Sequence, residues 1–229
     1  MSLLAGIIGS AGKAPNLNTS ITTQTQRSNT TSGMTITGAN SGQLYILCHD
    51  AYNSSGISAA PATPTGFTSL SSYAQSGSIF SFRLSYKILT SNEATFTLPS
   101  VSGANGQQAI GLVIDTLSGS FTGLSLENSL GYSYLNDDEV SATLSANVNT
   151  ILIGYVALYP AGGAGGGTLL PSPSAFVNTI SGGPSFGDYS ISLKAKNYTT
   201  SANDTWTEGR IGATTLLTNT FALKPTFSV

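Results

Sequence analysis

His49 is the sole histidine in the chain, and it stands between Cys48 and Asp50 in the stretch "CHDAY". Such neighbours invite a hydrolase reading, in which an acid orients the imidazole and the imidazole activates a nucleophile. Alternation argues against it. Adjacent residues on a strand point to opposite faces, so Asp50 is not placed to orient His49, and Cys48 is parted from His49 for the same reason. No G-x-S-x-G turn presents a serine. Cys48 lies in the apolar run "LYILCHD" and is expected to be a buried, inert thiol.

Other chemistries find little more. Glycoside hydrolysis needs two carboxylates across one cleft; Asp115, Glu127 and Asp188 fall near strand edges, but the sequence marks no pair. The densest acidic cluster is "LNDDEV", where Asn136, Asp137, Asp138 and Glu139 could offer oxygen ligands to Ca²⁺. It lacks the spacing and glycine of an EF-hand, so a solvated turn is expected. One Cys and one His cannot build a zinc or iron–sulfur site. The glycine run "PAGGAGGGTLLP" at 160–171 has no following Lys–Ser/Thr, so it reads as a loop that could touch a partner, not a phosphate cradle. Trp206 and the tyrosines could stack on sugars, although Phe80, Phe82 and Phe96 are expected on the buried side of their strands. Five Asn-x-Ser/Thr sequons, from Asn18, Asn29, Asn53, Asn197 and Asn203, are what so Ser/Thr-rich a composition yields by chance. No catalytic, cofactor or metal residue is therefore assigned.

The elements that would position such residues follow from composition. Of 229 residues 40% are hydrophobic, enough for a core, while only 8% are charged, about a third of the usual share. The surface must then be wetted by hydroxyls and amides, as on secreted or virion-exposed β proteins. A net charge of −2, with basic residues mostly scattered, leaves no footprint for nucleic acid. A lone cysteine excludes an intrachain disulfide. The opening "MSLLAGIIGSAGK" has no basic residue before its apolar stretch and is too short to span a bilayer. It reads as an arm that packs on a partner, and residues 1–33 as an arm and polar linker. No later segment reads as membrane-inserting.

From Thr35 onward strand signals recur every ten to fifteen residues, between clusters of Gly, Ser, Pro and Asn, with no sustained helical period. In "LENSLGYSYLNDDEV" a short turn of helix is the most that is expected. Two passages are near-copies: "SFRLSYKILTSNEATFT" at 81–97 and "SISLKAKNYTTSANDTWT" at 190–207. In the first, Phe80, Phe82, Leu84, Tyr86 and Ile88 alternate with smaller or charged residues, predicting one buried and one wet face. Tyr189, Ile191, Leu193 and Ala195 follow the same beat at a constant offset (189 − 80 = 109), so buried positions map onto buried positions. Phe96 answers to Trp206, Phe67 to Phe176, "LYILCH" to "ILIGYVALY", and "AIGLVIDT" at 109–116 to "LLTNTFAL" at 216–223. A sheet with one apolar face must cover it. The expected fold is an all-β, jelly-roll-like antiparallel sandwich over 34–229 with internal duplication, its halves at about 34–125 and 139–229. Two small sandwiches joined near "LNDDEVSATLSANVNT" are the other arrangement.

The series "GMTITGANSGQLYIL", "PTGFTSLSS", "FRLSYKILTSNEATFT" and "AIGLVIDTLSG" resembles a recurrent β-sandwich module of tailed-bacteriophage virion proteins. That module carries Gly-Asp and Gly-Trp-Thr where this chain has Gly42-Gln43 and Gly66-Phe67-Thr68. The resemblance implies a non-enzymatic, cofactor-free building block of the virion, of tail-fibre, baseplate or capsid-decorating type. Its implied partners are other virion proteins, further copies of itself (trimers among them) and, at its tip, a host surface glycan. A secreted carbohydrate-binding module is the competing expectation.

Overall fold

Runs of β-branched and aromatic residues, cut by turn formers, leave strands as the only regular elements among the described residues. The computed structural model describes residues 17–26, 33–35, 40–53, 55–91, 95–104, 106–116, 120–129, 133–135, 139–146, 150–160, 177–182, 190–197, 202–209 and 213–228. The strands are β1 (Leu17–Gln26), β2 (Gly33–Thr35), β3 (Leu44–Tyr52), β4 (Thr68–Ala74), β5 (Phe80–Ile88), β6 (Thr95–Thr97) and β7 (Gly106–Thr116). They continue as β8 (Ser120–Ser129), β9 (Ser133–Leu135), β10 (Glu139–Ala146), β11 (Ile151–Pro160), β12 (Val177–Gly182), β13 (Ser190–Asn197), β14 (Ala202–Gly209) and β15 (Ala213–Ser228).

All pairings are antiparallel, and they fall into two matching sets. One sheet is ordered β1-β7-β3-β5-β4, the other β8-β15-β11-β13-β12, with β9 also on β15. The small pairs β2-β6 and β10-β14 complete the sets. Register agrees as well as order. Leu44 lies opposite Ile88 and Ile114, and Ile151 opposite Asn197 and Leu223. Thr68 faces Tyr86 as Val177 faces Ala195, and Met34 faces Phe96 as Ala142 faces Trp206. The spacings are 107 for the central strands (151 − 44) and 109 for their neighbours (197 − 88; 223 − 114).

Three expectations change. Residues 17–26 are not part of a linker: β1 is a ten-residue edge strand whose Ile21–Gln26 stretch pairs with Ala109–Ile114. Its Thr-rich sequence offers few apolar side chains, and the ladder supplies the stabilisation that composition does not show. Second, β8 was expected in the first half but pairs with β15, so the matching units are 17–116 and 120–228. Third, the last matched strands are slipped by two residues: Ile114, not Thr116, corresponds to Leu223. A slip of two keeps every side chain on its face, which is why periodicity alone does not detect it. The apolar N-terminal stretch, the glycine run after Pro160, Asp137, Asp138 and Asp188 lie outside the described residues.

The inner faces of the two large sheets contribute to one hydrophobic cluster. Leu44, Ile46, Phe82, Leu84, Leu112 and Ile114 come from the first sheet; Phe121, Leu124, Ile151, Ile153, Phe221 and Leu223 come from the second. Phe82 stacks on Phe221 across the gap, 5.6 Å between centroids. Each such side chain contributes about 1.5–3 kcal/mol by leaving water.

The outer face of the first sheet is the larger surprise, for it is not wet. Ser81 and Ser85, expected in solvent, are fully buried, as are Tyr45, Leu47 and Ala51. The chain before β4 and the segment around β6 fold over them, adding Leu89, Leu98, Phe67 and Phe96 to a second cluster and Ile57 and Val101 to a third. The turn that delivers Phe67 is closed by its N–H donating to the Pro64 carbonyl at 3.1 Å, with Gly66 at φ 81°, a conformation side chains resist. Phe67 and Phe96 then meet Tyr45 edge-on at 6.0 and 5.8 Å. The Tyr45 ring lies flat along β7 because residue 111 is glycine: a Cβ there would come within 1.8 Å of the phenol oxygen.

Candidate functional site

Cys48, His49 and Asp50 sit inside β3, the centre of the first sheet. Both neighbours of β3 are paired along its whole length. A central strand covered on both faces has no solvent side on which to put polar residues, so all three are fully buried.

Alternation separates them as expected. Cys48 belongs to the inner cluster, with Leu84 opposite on β5. Burial, and secondarily the Asp50 charge, pushes its thiol well above the usual range, which leaves it unreactive. Asp50 points the same way, opposite Phe82, and neither carboxyl oxygen meets a hydrogen-bond partner among the described residues. Burial raises its pKa far above 3.8, so the group is held as the neutral acid.

His49 points outward, between Arg83 on β5 and Ala109 on β7. Burial lowers the imidazole to about 4; Gln107 beside it favours the charged form, and the Arg83 charge lowers it further. Neither ring nitrogen closes a hydrogen bond of normal geometry. The Arg83 guanidinium is itself engaged, donating from Nε to the Pro61 carbonyl and from Nη1 to Ser69 Oγ at 2.6 Å. It fastens the covering loop to β4. The imidazole is thus fully buried, favours its neutral form and meets no carboxylate partner among the described residues.

Comparison with protein-family models, with curated proteins and with solved structures gives no match to this chain.

The remaining candidates are dispersed. Asp115 lies on β7 in the first sheet and Glu127 on β8 in the second, where its carboxylate accepts from Thr150 Oγ1 at 3.0 Å. Glu139 begins β10, paired with Gly209, so the one member of the acidic cluster that is described is committed to a ladder. No group of three or more His, Cys, Asp or Glu that could hold a metal occurs among the described residues. The Asn53 sequon is built into a turn: its Nδ2 donates to the Gly103 carbonyl and its Oδ1 accepts from Ser55 N–H at 2.8 Å. Phe80 and Phe82 are core, as expected, and Lys87 stands 5.9 Å above the Phe67 ring.

Proposed function

We propose that this chain is a non-enzymatic structural protein of a tailed-bacteriophage virion, a tail-fibre or baseplate component built as a duplicated face-to-face β-sandwich. One observation carries the reading: two units of the same strand order and register spend their apolar faces on each other, and the titratable cluster Cys48-His49-Asp50 is sealed and neutral. A sequence that devotes its central strand to packing is shaped for rigidity. The low charge and hydroxyl-rich composition support the same reading, since such a surface suits close packing against other virion proteins and resists salt-dependent dissociation. The sequence resemblance supplies the phage context, and the N-terminal arm is the proposed attachment to neighbouring subunits.

Immunogold electron microscopy of purified particles with antibody against the chain tests it. Label at the tail tip or baseplate is the expected result. Label over the head would make the protein a capsid decoration, and its absence from particles, together with binding to immobilised glycans, would replace the reading with a carbohydrate-binding module.

A further inference from the structure

Among the described residues, every strand ladder closes within 17–116 or within 120–228. What crosses between the units is side-chain packing, exemplified by Phe82 on Phe221, and the Phe121 N–H donating to the Gly42 carbonyl at 3.3 Å. The packing repeats itself about an internal two-fold. β1 lies against β12 and β13, while its counterpart β8 lies against β4 and β5, the counterparts of β12 and β13. That is the pattern of a symmetric dimer interface, in which the same surface is presented from both sides, here within one chain.

We propose that the protein pairs with a second copy of itself by reciprocal exchange: unit 17–116 of each molecule closes on unit 120–228 of the other. Opening a monomer separates two apolar faces but breaks no ladder, and reclosing on a second copy restores the same contacts twice over. Monomer and exchanged dimer therefore differ only in association entropy and in the strain of the connection. That connection is short. Four Cα steps link Thr116 to Ser120, a reach of at most about 14 Å, whereas stacked sheets lie about 10 Å apart and β7 and β8 are not directly opposed. Where the second unit begins, Ser120 approaches Gly42, at φ +87°, so closely that a Cβ there would stand 3.0 Å from Ser120 Oγ. Connection length therefore sets the choice, since a short hinge favours exchange and a long one favours closure on itself. This inference rests on the packing and not on the virion reading.

The test uses full-length chains. Deleting Ser118 and Gly119 should give a folded species of twice the chain mass by light scattering, with an unchanged far-ultraviolet spectrum. Inserting six Gly/Ser residues after Ser118 should give a single-chain mass. Independently, two differently tagged natural chains, unfolded, mixed and refolded at high concentration, should co-purify as mixed dimers, and should still do so when both lack residues 1–16. A deletion variant that folds as a monomer overturns the proposal. So does a failure of the tagged chains to mix, which decides the matter alone should the deletion variant not fold.

Discussion

Over the central strand of the first sheet both faces are dry, yet they were made dry in different ways. The inner face is apolar by its own sequence: Leu44, Ile46, Phe82, Leu84, Leu112 and Ile114 meet a second sheet whose matching positions are equally apolar. The outer face holds Tyr45, His49, Ser81 and Ser85, which are buried because loops settle on them, with Arg83 half-buried beside them. A strand's alternation reports the chemistry of its side chains, not the presence of a cover. The price appears as buried polar atoms without a well-formed hydrogen bond among the described residues: the Tyr45 hydroxyl, both His49 nitrogens, and the hydroxyls of Ser81 and Ser85.

The sharpest way to break the comparison is to place one charge on each face. Leu84→Asp puts a carboxylate between the sheets and should abolish the cooperative unfolding transition followed by circular dichroism. Ser85→Asp, mild on any reading that leaves this face in solvent, should cost several kcal/mol as well, because Ser85 is 0% exposed. A Ser85→Asp variant melting within two or three degrees of the natural protein would restore the wet face.

A smaller effect belongs to the cover. Gly111→Ala drives a methyl into the Tyr45 ring and should destabilise by about 1–3 kcal/mol in urea. In the Tyr45→Leu background, where the ring is gone, the same change should cost much less. Equal costs in both backgrounds would mean the ring does not depend on the glycine.

The third effect is one of pH, and here the faces oppose each other. Folded His49 takes a proton only near 4, against 6.5 when unfolded, so its share of stability is lost as pH falls from 6.5 towards 4. Asp50 keeps its proton in the folded chain above its ordinary 3.8, so stability is lost as pH rises from there. Above about pH 4 the Asp50 slope therefore opposes the His49 slope, each group contributing at most about 1.4 kcal/mol per pH unit. The melting temperature should therefore rise less steeply from pH 4 to 6.5 than His49 alone would make it. In Asp50→Asn it should climb from pH 4 to 6.5 and stay level beyond; a profile unchanged by this substitution would show that Asp50 is ionised in the fold.

The smallest effect should come from Tyr45→Phe, which removes a buried hydroxyl without a partner. Its melting temperature should match the natural protein or exceed it slightly, and a clear loss would reveal a bond to that hydroxyl.

Much of the architecture is written in residue types. Phe80, Phe82 and Leu84 announce β5, and the spacing between Phe96 and Trp206 announces the second unit. β1 is not written there, because Leu17–Gln26 is held by backbone pairing with β7 and has too few apolar side chains to mark a buried face. Nor is the place of β8, since Phe121 and Leu124 would serve either sheet. For the candidate site, alternation correctly parted His49 from Asp50. Their burial was hidden because it comes from loops and from the opposite sheet, both distant in sequence.

Corresponding edge strands of the two units carry a kink in their ladders: β4 between Ser69 and Ser71, and β12 between Thr179 and Gly182. An extra residue in an edge strand twists it out of the plane that a foreign strand would need for docking. For a chain rich in strands and poor in charge, such irregular edges work against strand-by-strand growth of fibrils.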